Sequence, residues 1–212
     1  MKFNGKTMTA FGEFTFSDGG SNVTHCFDGT IAGEYIDYGL TTLRLGAFAQ
    51  CKDLTKISLP WCEKIAGRYA FYECENVTTI ELPNLKTITD GNYTFYNMKN
   101  VQEFILPNLT SAAAFGAVFY NCYSAKKIDL RNLGGVAFDS NCFRYCNDLE
   151  ILILGGDKIN TLANTNVLGS AGSTAPNGLS IYVPDDLVDN YKAATNWTTY
   201  ASKIKPRSEL EE

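Results

Sequence analysis

Five phenylalanines stand at positions 48, 71, 95, 119 and 143, in steps of 23, 24, 24 and 24 residues. Other positions keep the same frame. Three residues after each phenylalanine come Cys51, Cys74, Met98, Cys122 and Cys146, and three further on Leu54, Val77, Val101, Ala125 and Leu149. Next come Ile57, Ile80, Phe104, Ile128 and Leu152, then Leu59, Leu82, Leu106, Leu130 and Leu154. A unit this short has no second layer against which to bury its apolar residues. The chain must therefore stack unit on unit.

Within a unit, Leu54, Ile57, Leu59 and Cys62 spell L-x-x-L-x-L-x-x-C, a leucine-rich-repeat consensus whose usual period brackets these steps. Ile57-Ser58-Leu59 alternates in-out-in, as a short strand does. Phe71, Cys74 and Val77 recur every third residue, which predicts a 3₁₀ or short helical return. The expected fold is a right-handed leucine-rich-repeat solenoid, one strand and one helical return per 23–24-residue unit. Phe48, Phe71, Phe95, Phe119 and Phe143 then form a ladder of rings inside it. Cys51, Cys74, Cys122 and Cys146 form a second inward column, and Met98 in their slot argues for soft apolar packing over disulfides.

The frame divides the chain. Residues 1–42 read as a β-rich amino-terminal cap with a degenerate first repeat at Ile36-Asp37-Tyr38. Phe11, Phe14 and Phe16 alternate there, and Asp18-Gly19-Gly20 makes a turn. Residues 43–184 read as the array, with an insertion at 155–178 before Ile181-Tyr182-Val183-Pro184 repeats the strand signature. Residues 185–212 read as a helical carboxy-terminal cap with apolar positions at Leu187, Val188, Tyr191 and Ala194, then a frayed tail, RSELEE.

The unit F-x-x-C-x-x-L-x-x-I-x-L-P, seen from Phe71 to Pro83 with Val77 in the Leu slot, resembles the BspA-like leucine-rich-repeat family. The ending IYVPDDLVDNYKAATNWTTYASKIKP resembles a segment that often follows such repeats. The resemblance implies proteins of gut and oral bacteria or their prophages, displayed on a surface, adhesive and without catalysis. The amino terminus MKFNGKTMTAFGEF has no apolar run of a secretory leader. The expectation is therefore a cytoplasmic or virion-associated protein, or a cell-surface or secreted one that has lost its leader. A structural or host-recognition subunit of a phage particle is the alternative role.

Composition narrows the chemistry. The net charge of −5 argues against nucleic acid as a partner, since phosphate neutralisation needs a basic stripe. No run approaches the length of a membrane-spanning helix. His25, the one histidine, adjoins Cys26, and neighbouring residues rarely face each other as nucleophile and base. No phosphate loop or metal-ligand spacing is present, so neither an enzyme nor a cofactor is expected.

Recognition remains. One residue after the phenylalanines stand Tyr72, Tyr96 and Tyr120, with Tyr69, Tyr93 and Tyr123 close by in the frame. These side chains point outward if the phenylalanines point in. They form a binding face for a protein or glycan on a host or bacterial surface, or for virion proteins, or else they shield the corner of the coil. The outward sheet face is a second stripe, through Ser58, Glu81, Ile105, Asp129 and Ile153. Oligomeric state leaves no mark in the sequence.

Overall fold

A computed structural model describes residues 33–211, with the short antiparallel strands Lys2–Phe3 and Lys6–Thr7. The expected strands around Phe11, Phe14 and Phe16, the turn at Asp18-Gly19-Gly20, and the His25-Cys26 pair lie outside the described residues.

From Gly33 onward every strand pair is parallel, as stacking of like units requires. The coil has three walls. The first carries the anticipated strands: Gly33–Ile36, Leu54–Ser58 and Thr79–Glu81 pair in one sheet. Glu103–Ile105, Lys127–Leu130, Ile151–Leu154, Ser180–Val183 and Ile204–Pro206 pair in another. A second wall consists of two-residue strands at Thr42–Leu43, Lys64–Ile65, Thr87–Ile88 and Ser111–Ala112. Ala137–Phe138 and Thr161–Leu162 continue it. These strands are too short to show a period in the sequence.

The third wall departs from the expected helical return. It is a helix in one layer, the 3₁₀ turn Thr165–Leu168. In the other layers it is a run of turns with two left-handed residues each. Gly46, Tyr69, Tyr93, Ala117 and Asn141 have φ of 49–66°, and so do Gln50, Glu73, Asn97, Asn121 and Tyr145. A left-handed residue other than glycine costs roughly 1–2 kcal/mol. Hydrogen bonding between layers offsets it. The amide of Phe48 donates to the Ala70 carbonyl at 2.7 Å, Phe71 to Thr94 at 2.8 Å, Phe95 to Val118 at 2.9 Å and Phe119 to Cys142 at 2.8 Å. Between these, amides such as Cys74 donate back three residues along the chain, to Phe71 at 3.2 Å. An α-helix would bond the amides beyond its first turn along its own axis and leave those unavailable to the next layer.

The core lies between the walls. The phenylalanines stack face to face at 5.2–5.5 Å, with planes within 15° of parallel. All five are at most 1% exposed. The degenerate first layer sits one residue away from its expected frame. Tyr35 pairs with Ile57 and is buried, while Ile36 is 44% exposed, because the strand is bulged between Gly33 and Glu34. Asp37 then takes a leucine position, where it accepts from the Tyr35 hydroxyl at 2.9 Å and the Gly39 amide at 2.7 Å.

Residues 155–178, anticipated as an insertion, run through the other two walls. Leu162 pairs with Phe138, and the Phe143 amide donates to the Val167 carbonyl at 2.8 Å. Leu168 takes the phenylalanine slot, so the aromatic marker is lost although the layer is present. After Ser180–Val183 come a 3₁₀ turn (Asp185–Leu187), a short α-helix (Val188–Ala193) and a second 3₁₀ turn (Thr198–Lys203). Asn160, fully buried, joins them to the array. Its amide nitrogen donates to the Leu133 carbonyl and the Tyr191 hydroxyl, each at 3.0 Å, and its carbonyl accepts from the Trp197 indole at 2.8 Å.

The tail is anchored where fraying was expected. Ile204–Pro206 adds a parallel strand, and Arg207 donates to the carbonyls of Arg131 at 3.1 Å and Leu154 at 2.8 Å. Gly155 makes room for that approach: a Cβ there would fall 1.4 Å from the Arg131 carbonyl oxygen.

Phe95 packs between Phe71 and Phe119 and touches Phe104, so its truncation leaves a cavity with little means of collapse. Phe95→Ala is expected to lower stability by about 3–5 kcal/mol in a urea titration. An unchanged midpoint would remove the ring ladder from the core.

Candidate functional site

The tyrosines gather on the turn wall. Tyr72, Tyr96 and Tyr120 form one column, at 5.0 and 5.1 Å with planes 17° and 5° apart. Tyr69 and Tyr93 form a second column at 5.2 Å and 12°. The columns meet edge to face, Tyr69 on Tyr72 at 5.4 Å and Tyr93 on Tyr96 at 5.6 Å. Five of the six tyrosines singled out in the sequence thus form one array. The sixth, Tyr123, is 38% exposed and makes no ring contact with the other five.

One member has no marker in the sequence frame. Tyr145 closes the array edge-on to Tyr120 at 5.4 Å, with the Arg144 guanidinium 4.7 Å from its ring centre. It stands two residues after Phe143, in a left-handed position held by Gln50, Glu73, Asn97 and Asn121 in other layers. Its backbone position was repetitive, but its residue type was not.

The stacking decides what the array can offer. Within each column the ring faces cover one another, so the surface presents ring edges and hydroxyls. Ring edges carry the positive side of the aromatic quadrupole and hydroxyls donate, so the array suits carbonyl and carboxylate oxygens. A sugar stacking on a tyrosine needs an open face, which the interior rings lack. Burial, then a hydrogen bond to the Glu73 carboxylate, pushes the Tyr72 phenol upward and directs its proton to Glu73, and burial pushes the Tyr96 phenol upward as well. Gln50 donates to Glu73 at 3.1 Å and Arg68 to Asp90 at 2.9 Å, which gives the array a polar margin.

The cysteine column lies on the other side of the same wall. All six described cysteines are free and at most 2% exposed. Cys74, Cys122 and Cys146 donate to the carbonyls of Phe48 at 2.9 Å, Phe95 at 3.2 Å and Phe119 at 3.1 Å. Each thiol therefore caps the phenylalanine carbonyl of the layer before it. Among the described residues no histidine, cysteine and carboxylate cluster could hold a metal ion, and no helix is long and apolar enough to cross a membrane.

Burial pushes the Cys62 thiol up to about 11 from its ordinary 9.0, and pushes Cys74, Cys122 and Cys142 up as well. A group with a raised folded value keeps its full contribution below its unfolded value and loses it as pH climbs. The melting temperature should hold up to pH 9.0 and then fall toward about 11. Native thiol titration should detect almost none of these six cysteines before denaturation. Rapid reaction of two or more in the native state would contradict the burial.

Asparagines provide a ladder that sequence reasoning missed. Asn84, Asn108 and Asn132 donate through their side-chain amides to the carbonyls of Pro60, Pro83 and Pro107 at 2.7–2.8 Å. Their signal was present as an Asn column at 24-residue steps. It ties Asn108, part of an N-x-T triplet, to a structural task.

Comparison with known proteins agrees with this architecture. The family model described as the BspA type leucine rich repeat region matches residues 23–150 in six copies. No curated protein and no solved structure gives a significant match. The matched span reaches upstream of Phe48 to include the layer of Tyr35, and repeats of this kind are generally non-enzymatic interaction modules. The chain belongs to the BspA-type leucine-rich-repeat family.

Proposed function

We propose that the protein is an adhesion or recognition module that binds a protein partner through the tyrosine array of its turn wall. The observation that carries this reading is the repeated face-to-face stacking of Tyr72, Tyr96 and Tyr120. It fixes the hydroxyls in a row at the layer spacing, with little side-chain freedom left to lose on binding. Tyr69 and Tyr93 brace that row from the side, and Tyr123 lies at its margin. The covered ring faces favour a protein over a glycan.

Residues 1–42, 43–184 and 185–212 act as amino-terminal cap, right-handed repeat array and carboxy-terminal cap. Tyr191 and Trp197, both fully buried, support the last assignment, because they cover the end of the coil through Asn160. Deletion of 185–212 is expected to expose Ile181 and Val183 and cause aggregation, read by light scattering. A monomeric truncation with unchanged stability would make the segment an appendage.

Replacing Tyr72, Tyr96 and Tyr120 together by Phe keeps the stack and removes the hydroxyls. The expected result is an unchanged melting temperature and a loss of roughly tenfold or more in retention of the partner from host or bacterial surface extracts. Periodate oxidation of the extract should leave retention intact. Retention unaffected by the triple variant would move the binding face elsewhere, and retention abolished by periodate would make the partner a glycan.

A further inference from the structure

The tyrosine column ends on a cation. One residue after successive ladder phenylalanines the turn wall carries Tyr72, Tyr96, Tyr120 and then Arg144. The guanidinium carbon of Arg144 stands 4.7 Å from the centre of the Tyr145 ring, and that ring meets Tyr120 edge to face at 5.4 Å. Nη1 of Arg144 donates to the Asn141 side-chain oxygen at 3.2 Å. The next layer has Gly169 in the same slot: its carbonyl accepts from the Tyr145 amide at 2.9 Å, as the Arg144 carbonyl accepts from Asn121 at 3.1 Å. Gly169 has no side chain to lie over the guanidinium, and a Cβ there would already stand 3.4 Å from Cγ of Arg144 and 3.6 Å from Cδ. A half-buried arginine held on a ring face and by Asn141 has lost much of its side-chain freedom before any partner arrives.

The other charges around the array are engaged. Arg68 pairs with Asp90 at 2.9 Å and Lys99 with Glu75 at 3.2 Å, each across one layer. Glu73 accepts from Gln50 at 3.1 Å and from the Tyr72 hydroxyl. Arg144 has no ion pair among the described residues, and Asn141 is the one side chain there that its guanidinium bonds. The hydroxyls of Tyr96 and Tyr120 likewise donate to no acceptor among the described residues. The row from Tyr96 to Arg144 therefore offers hydrogen-bond donors and a positive charge without a counter-ion.

We propose that the tyrosine array recognises an acidic segment of its protein partner, with a carboxylate received by Arg144 at the carboxy-terminal end of the row. The inference rests on the reading of the array as the binding face and adds the partner's charge to it. A planar guanidinium takes a carboxylate through two parallel N–H bonds, which gives direction as well as attraction. The Tyr120 and Tyr96 hydroxyls, one and two layers away, donate to further oxygens of the same segment. A basic segment would meet like charge at Arg144, and a neutral one would leave that charge unpaired in the interface.

Titration of the whole chain with acetyl-hexaglutamate-amide and with acetyl-hexalysine-amide, followed by arginine Nε–H and tyrosine ring signals, tests this. Hexaglutamate should shift the Arg144 Nε–H and the Tyr120 and Tyr145 rings saturably, and hexalysine should leave them in place. Arg144→Gln should weaken hexaglutamate binding by about fivefold at an unchanged melting temperature. Hexaglutamate that moves none of these signals, or binds the native chain and Arg144→Gln equally, overturns the carboxylate site. Retention of the partner from surface extracts separates this inference from the reading beneath it. Loss of retention in the tyrosine-to-phenylalanine variant with full retention in Arg144→Gln overturns the acidic segment alone, whereas full retention in both overturns the array as well.

Discussion

The contact on which the rest depends is the amide of each ladder phenylalanine donating to the carbonyl that precedes the ring in the next layer, at 2.7–2.9 Å from Phe48 through Phe119. For that amide to point along the stack, the residues two before and two after must turn left-handed. Once they do, the phenylalanine side chain is directed inward and the residue after it outward. Core and candidate binding face are consequences of one backbone alternation. The inner rings stack at 5.2–5.5 Å and the outer ones at 5.0–5.1 Å because both inherit the layer spacing.

This arrangement also shares the load among walls. The turn wall and the wall of two-residue strands hold consecutive layers together where the first wall is open between Thr79–Glu81 and Glu103–Ile105. A two-walled coil would come apart at such a gap. Here a three-walled coil tolerates it without dividing the molecule. Exposed ion pairs between layers, such as Lys86–Glu63 at 2.7 Å and Arg68–Asp90 at 2.9 Å, add little to stability and serve register and solubility instead.

Much of this was legible in the sequence, and the exceptions have physical causes. The phenylalanine and cysteine columns, the strands at Ile57 to Leu154 and five of the array tyrosines follow from the repeat frame. The two-residue strands at Leu43, Ile65 and Ile88 carry one inward residue each, too few to make a period. Left-handed Tyr69, Glu73 and Tyr93 gave no sign because intrinsic preference opposes that conformation; only bonding to neighbouring layers enforces it. Leu168 hid a layer by standing in for phenylalanine. On the outward sheet face, Ser58, Asp129 and Ile153 are buried and Glu81 and Ile105 exposed, a difference that alternation within a strand does not encode.

The central claim is that the turn wall is bonded from layer to layer like a sheet. Native-state hydrogen exchange of the Phe71, Phe95 and Phe119 amides tests it most directly. These amides should exchange only through global unfolding, with the same free energy as the strand amides of Ile128 and Leu152. Exchange at the rate of exposed turns, with the strands still protected, would contradict it and leave the phenylalanine ladder without the backbone contact that positions it.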